Sequence, residues 1–217
     1  TAANDFRIIW DNAYCVHDLT DTTDKLLNIF DVLPEKNKNM VVEVASTSKI
    51  SYPGAGVACI ATSVENVKEI LKRLTVQAIS YDKVNMLRHV KYFKNLDGIK
   101  AHMMKHADIM RPKFEMLDEL MTAEIASRGI GSWVKPVGGY FICFESLEGC
   151  AKDIVGKCKE AGVTMTGAGA PFPYGKDPKD SIIRIAPTFP SVEELKKAAE
   201  VFVVCVRLAS VNKILEA

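Results

Sequence analysis

The chain has 217 residues, enough to bury a sizeable core as one large domain or two small ones. Lys and Arg total 28 against 27 Asp and Glu, and this near balance excludes the basic field that attracts nucleic acid or anionic membranes. Six cysteines without a CxxC pair favour reduced thiols over disulfides or zinc, and no apolar run reaches the length of a membrane span. We therefore expect a cytoplasmic protein that binds a small molecule or another protein, with no nucleic-acid or membrane partner.

The first third of the chain alternates short apolar runs with a helical pattern. Residues 6–10 form an apolar and aromatic run that predicts a strand, and residues 21–34 have helical spacing with a proline stop. Residues 40–45 and 56–61 predict two more buried strands. This order predicts an α/β fold in which strand ends lead into a site.

Long helical patterns follow the third strand. We predict helices over residues 63–74, 82–95 and 97–129, the last of them interrupted by Pro112. The last third alternates strand and helix, with strand-like stretches at 132–146, 163–175 and 181–189, a helix at 149–162 and a C-terminal helix from Ser191. The simplest division is into two regions, residues 1–95 and 96–217.

A lysine follows the second predicted core strand. Lys49 comes directly after the hydroxyl residues of "STS", and a loop containing Gly54 and Gly56 follows it. A charge at this place is either a solvated strand end or a reactive amine that forms a Schiff base with a carbonyl. Hydroxyls and unhindered backbone N–H groups suit a phosphate, which favours the reactive amine and leaves the solvated end open.

Two further polar residues follow the first predicted strand. Asp11 and Tyr14 lie in "WDNAYCVHDL", where an aspartate is commonly a turn former and a tyrosine is commonly packing. Pyridoxal phosphate needs a lysine for its aldehyde, a carboxylate for its pyridine nitrogen, a donor for its phenolic oxygen and a phosphate cradle. Lys49, Asp11, Tyr14 and Ser46 supply these four groups.

The longer strings resemble a known family. "IIWDNAYCVHDL" and "STSKISYPGAGVACIATS" resemble the fold-type I pyridoxal-phosphate aminotransferases, in the MocR-like or alanine–glyoxylate-like branch of the aspartate aminotransferase group. "KPVGGYFICFE" resembles the family's P-x-G-G-x-F strand, and "DSIIRIAPTFPSVEELKKAAEVF" resembles its closing strand and helix. Four motifs in the family's order extend from about residue 6 to the C-terminus.

The resemblance implies a role for each matching residue. Lys49 would form the internal aldimine and carry a proton between the substrate and the cofactor. Asp11 would pair with the pyridine nitrogen, and Tyr14 would hydrogen-bond the phenolic oxygen and act with Lys49 in catalysis. Ser46 and Ser48 would contact the phosphate. We expect no metal, because no residues in the sequence complete a metal site.

Substrate recognition and chain length also follow from the resemblance. Arg184, in "IIRIAP", would bind the substrate α-carboxylate with its guanidinium fork, where the alternative is an ordinary edge-strand arginine. Where many members have a phosphate-binding arginine after the lysine loop, this chain has Gly56. The matched motifs belong to the C-terminal half of such an enzyme, with residues 1–95 in the cofactor-binding large domain and 96–217 in the interdomain helix and small domain.

The expected function is transamination of aspartate or another dicarboxylic amino acid with 2-oxoglutarate, in a homodimer when the enzyme is complete. This chain alone is expected to be inactive. The alternatives are an aminotransferase-like effector domain of a transcription regulator, or another fold-type I activity such as C–S lysis or decarboxylation. Weaker candidates are a metal pair at His102 and His106, which nothing nearby completes, and Arg88 as a reader of the distal carboxylate.

Overall fold

The computed structural model describes residues 5–22 and 24–216. Its contacts divide the chain into two compact units. Residues 5–17 and 24–105 form the first unit, and residues 18–22 and 106–216 form the second. No helix in the described part of the chain is long and apolar enough to cross a membrane.

The first unit contains a three-stranded sheet. Its strands are β1 (Ile8–Asp11), β2 (Val41–Ser46) and β3 (Ala58–Ala61), in the order β1-β2-β3. The first two strands are parallel and the third is antiparallel to β2. Because β1 and β2 run in the same direction, their carboxyl ends lie at the same edge of the sheet. The predicted α/β class is confirmed.

Helices make up the rest of the first unit. They are α1 (Ile29–Val32), a 3₁₀ segment (Glu35–Met40), α2 (Val64–Gln77), α3 (Lys83–Phe93) and the beginning of α4 (Leu96–Glu124), which ends in the second unit. The Ser63 side chain accepts a hydrogen bond from the N–H of Asn66 and starts α2. Asp82 starts α3 in the same way, by accepting from Asn85. Both caps satisfy backbone donors that the first helical turn leaves without partners.

The helix predicted over residues 21–34 is wrong in length. Only α1 is helical there, and residues 24–28 have no regular structure, while Thr23 lies outside the described residues. The Asn28 side chain accepts from the N–H of Phe30 and so fixes the helix start. Leu26 and Leu27 are 59% and 55% exposed, so no packing supports an earlier start.

The predicted interruption at Pro112 is also wrong, because α4 runs through this residue. A proline inside a helix removes one backbone donor and costs about 3 kcal/mol. The turns after it bury Phe114, Leu117 and Met121 in the core of the second unit. Burying one such side chain contributes about 1.5–3 kcal/mol, so three of them outweigh the proline.

The second unit contains an antiparallel sheet and two further helices. The sheet contains β4 (Gly131–Trp133), β5 (Ile142–Ser146) and β6 (Ile182–Ile185), and the helices are α5 (Ala151–Glu160) and α6 (Val192–Leu215). A capping box between Ser191 and Glu194 starts α6. The strand predicted within residues 163–175 is wrong, because this glycine- and proline-rich stretch forms turns and a short 3₁₀ segment. The main core of the unit surrounds Phe144, Ile154, Ile183 and Val206.

The first unit exposes much of its apolar surface. All four residues of β3 are exposed, and α2 buries none of its fourteen residues although its apolar side chains recur at helical spacing. Val64, Leu71 and Val76 are 64%, 50% and 88% exposed. An exposed apolar surface of this extent is typical of a face that another protein segment covers.

Cysteine burial in the second unit leads to a direct prediction. Cys143 is exposed, whereas Cys158 and Cys205 are buried. Burial, with a further contribution from contact with Cys205, raises the pKa of Cys158 to about 12. Because the thiolate is the nucleophile, we expect iodoacetamide at neutral pH to alkylate Cys143 in the folded protein long before Cys158. Peptide mass spectrometry measures both rates, and equal rates would contradict this placement.

Candidate active site

Polar residues follow both parallel strands of the first unit. Asp11 is the last residue of β1, and Ser46 is the last residue of β2. Asp11 pairs in register with Val44, two residues before that serine. The carboxylate and the hydroxyl run that begins at Ser46 are therefore at one edge of the sheet, where α/β proteins commonly bind ligands.

Hydrogen bonds attach the turn after β1 to the neighbouring strand. The N–H of Asn12 donates to the carbonyl of Val44 at 2.8 Å, and its side-chain amide donates to Glu43 at 2.7 Å. One carboxylate oxygen of Asp11 accepts from the N–H of Ala13 at 3.2 Å. These bonds fix the path of the chain directly after Asp11.

Lys49 lies in a tight turn after β2. The backbone N–H groups of Ile50 and Ser51 both donate to the carbonyl of Thr47, at 3.0 and 2.8 Å. Ile50 is buried and anchors the turn, whereas Lys49 is exposed. The Lys49 Nζ lies 5.2 Å from the centroid of the Tyr14 ring. Two residues predicted from separate motifs are thus brought together, with the amine over an aromatic face.

The glycine at position 56 is explained by its contact with the hydroxyl run. A Cβ added to Gly56 would lie 2.6 Å from Ser48 Oγ and 2.9 Å from Ser48 N. The chain after the lysine turn therefore packs directly on the backbone of Ser48. No larger residue fits there without moving this backbone, so position 56 is closed to a side chain.

Gly56→Ala is expected to strain this packing. The new methyl group overlaps backbone atoms of Ser48 that are not free to rotate away, and such overpacking costs about 1–3 kcal/mol of unfolding free energy. Gly167→Ala is the matched control, because a Cβ there meets no atom within 4 Å, and it should change stability by less than about 0.5 kcal/mol. Denaturant unfolding compares the two variants, and equal stability would contradict the contact.

Arg184 belongs to the second unit. It lies on β6 opposite Cys143, and its guanidinium carbon is 4.6 Å from the centroid of the Phe141 ring. Its Nε is buried and has no hydrogen-bond partner among the described residues. The residue also borders a cavity of about 460 Å³ together with Thr166 and Glu194. A buried guanidinium donor next to a cavity is suited to an anionic ligand.

The weaker candidates have ordinary structural contacts. His102 Nε2 lies 2.9 Å from the carbonyl oxygen of Ile50, and His106 Nδ1 lies 3.4 Å from the Tyr140 hydroxyl. Within residues 5–22 and 24–216, no group of three His, Cys, Asp or Glu residues could hold a metal ion. Arg88 is exposed on α3. Sequence reasoning missed that histidines contact the lysine turn, because no local pattern joins residues so far apart in the chain.

Comparison with known proteins identifies the family. The family profile described as "Aspartate amino-transferase" matches residues 1–217. The chain belongs to the aspartate aminotransferase family. Its family relatives include the aspartate aminotransferase of Corynebacterium glutamicum, 41% identical over 211 residues, which are 97% of this chain and 49% of that protein. A protein of Mycolicibacterium smegmatis named as an aminotransferase is 41% identical over 216 residues, which are 99% of this chain and 50% of that protein.

Solved structures agree with this family assignment. The aspartate transaminase of Corynebacterium glutamicum has a TM-score of 0.93 and 40% identity, covering 98% of this chain and 50% of that one. The α-aminoadipate aminotransferase of Thermus thermophilus, solved with N-(5'-phosphopyridoxyl)-L-leucine, has a TM-score of 0.75 at 17% identity over 94% of this chain and 50% of that one. At that identity the likeness shows the fold alone. The chain thus spans about half the length of the curated relatives it matches.

Proposed function

We propose that this chain is the C-terminal half of a pyridoxal-phosphate-dependent aminotransferase. The observation that carries the proposal is the meeting of Lys49 and Tyr14, with the amine 5.2 Å from the ring centroid, at the sheet edge where Asp11 ends β1. The exposed apolar faces of β3 and α2 support the C-terminal half, because a further chain segment would cover them. In this proposal, residues 1–95 belong to the cofactor-binding domain and 96–217 to the interdomain helix and small domain.

The chemistry of the donor set fits pyridoxal phosphate. An amine, a carboxylate and a phenol match the aldehyde, the pyridine nitrogen and the phenolic oxygen of this cofactor. The hydroxyls of Ser46 and Ser48, with the chain at Gly56 packed closely against Ser48, suit a phosphate. When bound, the cofactor supplies an aldehyde and a ring that accepts electrons from the substrate carbon.

The protein's own residues then have separate tasks. Lys49 holds the cofactor through its amine and later takes the proton from the substrate Cα, as a general base at the end of a rigid element. Asp11 stabilises the proton on the pyridine nitrogen, and the Tyr14 hydroxyl donates to the phenolic oxygen. Arg184 binds the substrate α-carboxylate through two parallel N–H donors.

The substrate proposed is aspartate or another dicarboxylic amino acid, with 2-oxoglutarate as the acceptor. The family and the relative named aspartate aminotransferase support this choice. We also propose that the complete enzyme is a homodimer, and that this chain alone transfers no amino group because part of the cofactor site lies outside it. The MocR-like branch and the cytoplasmic location stay predictions.

Isotope transfer in the full-length protein tests this function. We expect nitrogen-labelled aspartate, 2-oxoglutarate and pyridoxal phosphate to give labelled glutamate and oxaloacetate in equal amounts. Release of carbon dioxide from aspartate without glutamate formation would indicate a decarboxylase instead. Cofactor binding without turnover of any amino acid would favour an effector domain, and the 217-residue chain alone, assayed in parallel, should form no glutamate.

A further inference from the structure

Two histidines, one before the Lys49 turn in the sequence and one after it, hydrogen-bond the backbone of that turn. His17, in the turn after β1, has its Nε2 3.2 Å from the carbonyl oxygen of Lys49, and His102, on α4, has its Nε2 2.9 Å from that of Ile50. A carbonyl oxygen only accepts, so each ring carries its hydrogen on Nε2. Tyr92 lies 3.3 Å from the other nitrogen of His102, and its hydroxyl donates there when that ring is neutral.

A third histidine reaches the same turn through side chains. His89, on α3, has its Nε2 2.8 Å from the Ser51 hydroxyl and 3.1 Å from the Thr47 hydroxyl. Its Nδ1 lies 2.9 Å from the carbonyl oxygen of Asn85 and therefore donates to it. The neutral ring then has one acceptor lone pair on Nε2, which the nearer Ser51 hydroxyl and the Thr47 hydroxyl share. His89 thus has the opposite tautomer to the two histidines that bind carbonyls.

The two side chains that His89 contacts lie on either side of Lys49 in the sequence. Thr47 is two residues before Lys49 and Ser51 is two residues after it, so one imidazole joins both ends of the turn. The Thr47 hydroxyl also accepts from the N–H of Val57 at 2.9 Å, which connects the turn to the start of β3. The Ser51 hydroxyl also lies 3.0 Å from the carbonyl oxygen of Thr47, so removing the imidazole leaves it a partner within the turn but breaks the side-chain connection between the turn and α3.

A second contact from α3 holds the far side of the loop. The Asn85 side-chain amide donates to the carbonyl of Ala55 at 2.7 Å, one turn of helix before His89. This carbonyl immediately precedes Gly56, whose backbone packs on Ser48. The helix therefore holds both arms of the 47–57 loop, and the loop's own hydrogen bonds do not have to fix the lysine alone.

We infer that His89 is a positioning residue for Lys49, holding the 47–51 turn against α3 so that the amine stays at a fixed place over Tyr14. The inference rests on the proposed function for the role of Lys49, whereas the contacts of His89 do not depend on it. The alternative is a histidine that only satisfies buried polar groups. A purely structural histidine would change global stability, whereas a positioning histidine changes the mobility of the loop and the reactivity of Lys49 beyond any change in stability.

Two readouts on the full-length protein test this inference. Amide hydrogen exchange without cofactor reports on residues 47–57, and borohydride trapping with pyridoxal phosphate reports how fast Lys49 is labelled. We expect His89→Ala to speed exchange in 47–57, and to slow labelling of Lys49, each by about tenfold, because it removes the acceptor that two hydroxyls of the turn share. Lys91→Ala, an exposed change on the same helix, should alter neither rate.

A second variant keeps the test decisive if His89→Ala does not fold. Ser51→Ala removes one of the hydroxyl partners, and we expect the same direction of change in both readouts. Where both single variants fold, the double variant should lose less than the sum of the two, since the residues act as a unit. Wild-type rates in the folded variants, or fully additive losses, would overturn the inference.

The two proposals fail in different ways. If the wild-type protein gives no label on Lys49, the proposed function is wrong, and the exchange experiment still measures whether His89 holds the turn. If wild-type Lys49 is labelled and His89→Ala behaves like wild type in both readouts, the function stands and the positioning role is wrong.

Discussion

Lys49→Ala in the full-length protein is expected to reduce amino transfer from aspartate by roughly 10²–10⁴-fold, the range that a positioned general base contributes. The loss falls on the turnover number, because the variant lacks the amine that moves the proton at the substrate Cα, whereas Arg184 and the hydroxyl run remain in place. A coupled assay for oxaloacetate measures the rate. A small primary amine added to the solution should restore part of it.

Lys68→Ala is the matched control for this change. Lys68 is exposed on α2, so its removal changes the charge by the same amount away from the strand ends. It should leave the turnover number within about twofold of wild type, as expected for a surface substitution. Equal activity of Lys49→Ala and Lys68→Ala would contradict the assignment of Lys49 as the base.

Phe144→Ala is expected to cause the largest loss of stability in the second unit. The side chain is fully buried, and its ring lies 5.2 Å from that of Phe202 and 6.2 Å from that of Trp133. A Cβ added to Gly131 would also have this ring as its nearest neighbour, so no empty space separates the two residues. A cavity of this kind costs about 3–5 kcal/mol of unfolding free energy, a large part of the stability of an ordinary domain.

Phe189→Ala provides the comparison. Phe189 is 99% exposed, so removing its ring leaves no cavity and should change the unfolding free energy by less than about 0.5 kcal/mol. Urea unfolding followed by circular dichroism measures the midpoint and slope for both variants. A loss below about 1 kcal/mol for Phe144→Ala, with an unchanged slope, would contradict the core packing described here.

Much of the fold follows from local patterns in the sequence. The apolar runs at 6–10 and 40–45 correspond closely to β1 and β2, because strands favour apolar, β-branched side chains, although Val41 is the only buried residue of these two strands. The hydroxyl at Ser63 marks the start of α2, since a capping oxygen satisfies an otherwise unpaired N–H. Local rules succeed here because the same few residues decide both the pattern and the structure.

The errors arise where tertiary packing decides. The helical spacing of residues 21–34 lacks a surface to pack on, so only α1 forms. Pro112 was expected to break a helix, but the buried side chains after it keep α4 intact. In both places the free energy from helix propensity is small compared with the free energy of burying apolar side chains. Burial is missing at residues 24–28 and present after Pro112.

The candidate site shows the same division. The strand-end positions of Asp11 and Ser46 follow from the order of strands, since parallel strands end at one edge. The bracing of the lysine turn by His89 could not be predicted, because its contacts join residues about forty positions apart. The close packing of Gly56 on Ser48 likewise requires coordinates, and it gives a physical reason for a glycine that the sequence alone presents only as a departure. The catalytic and binding roles of the site residues stay predictions.

Lys49 is the residue proposed to hold pyridoxal phosphate, and reductive trapping of the cofactor identifies that residue. The full-length protein is incubated with the cofactor, reduced with borohydride, digested and analysed by peptide mass spectrometry. We expect a phosphopyridoxyl group on Lys49 alone, formed when the cofactor exceeds the protein by less than one equivalent, and no label in Lys49→Ala. A label on a different lysine, or no label at saturating cofactor, would contradict it.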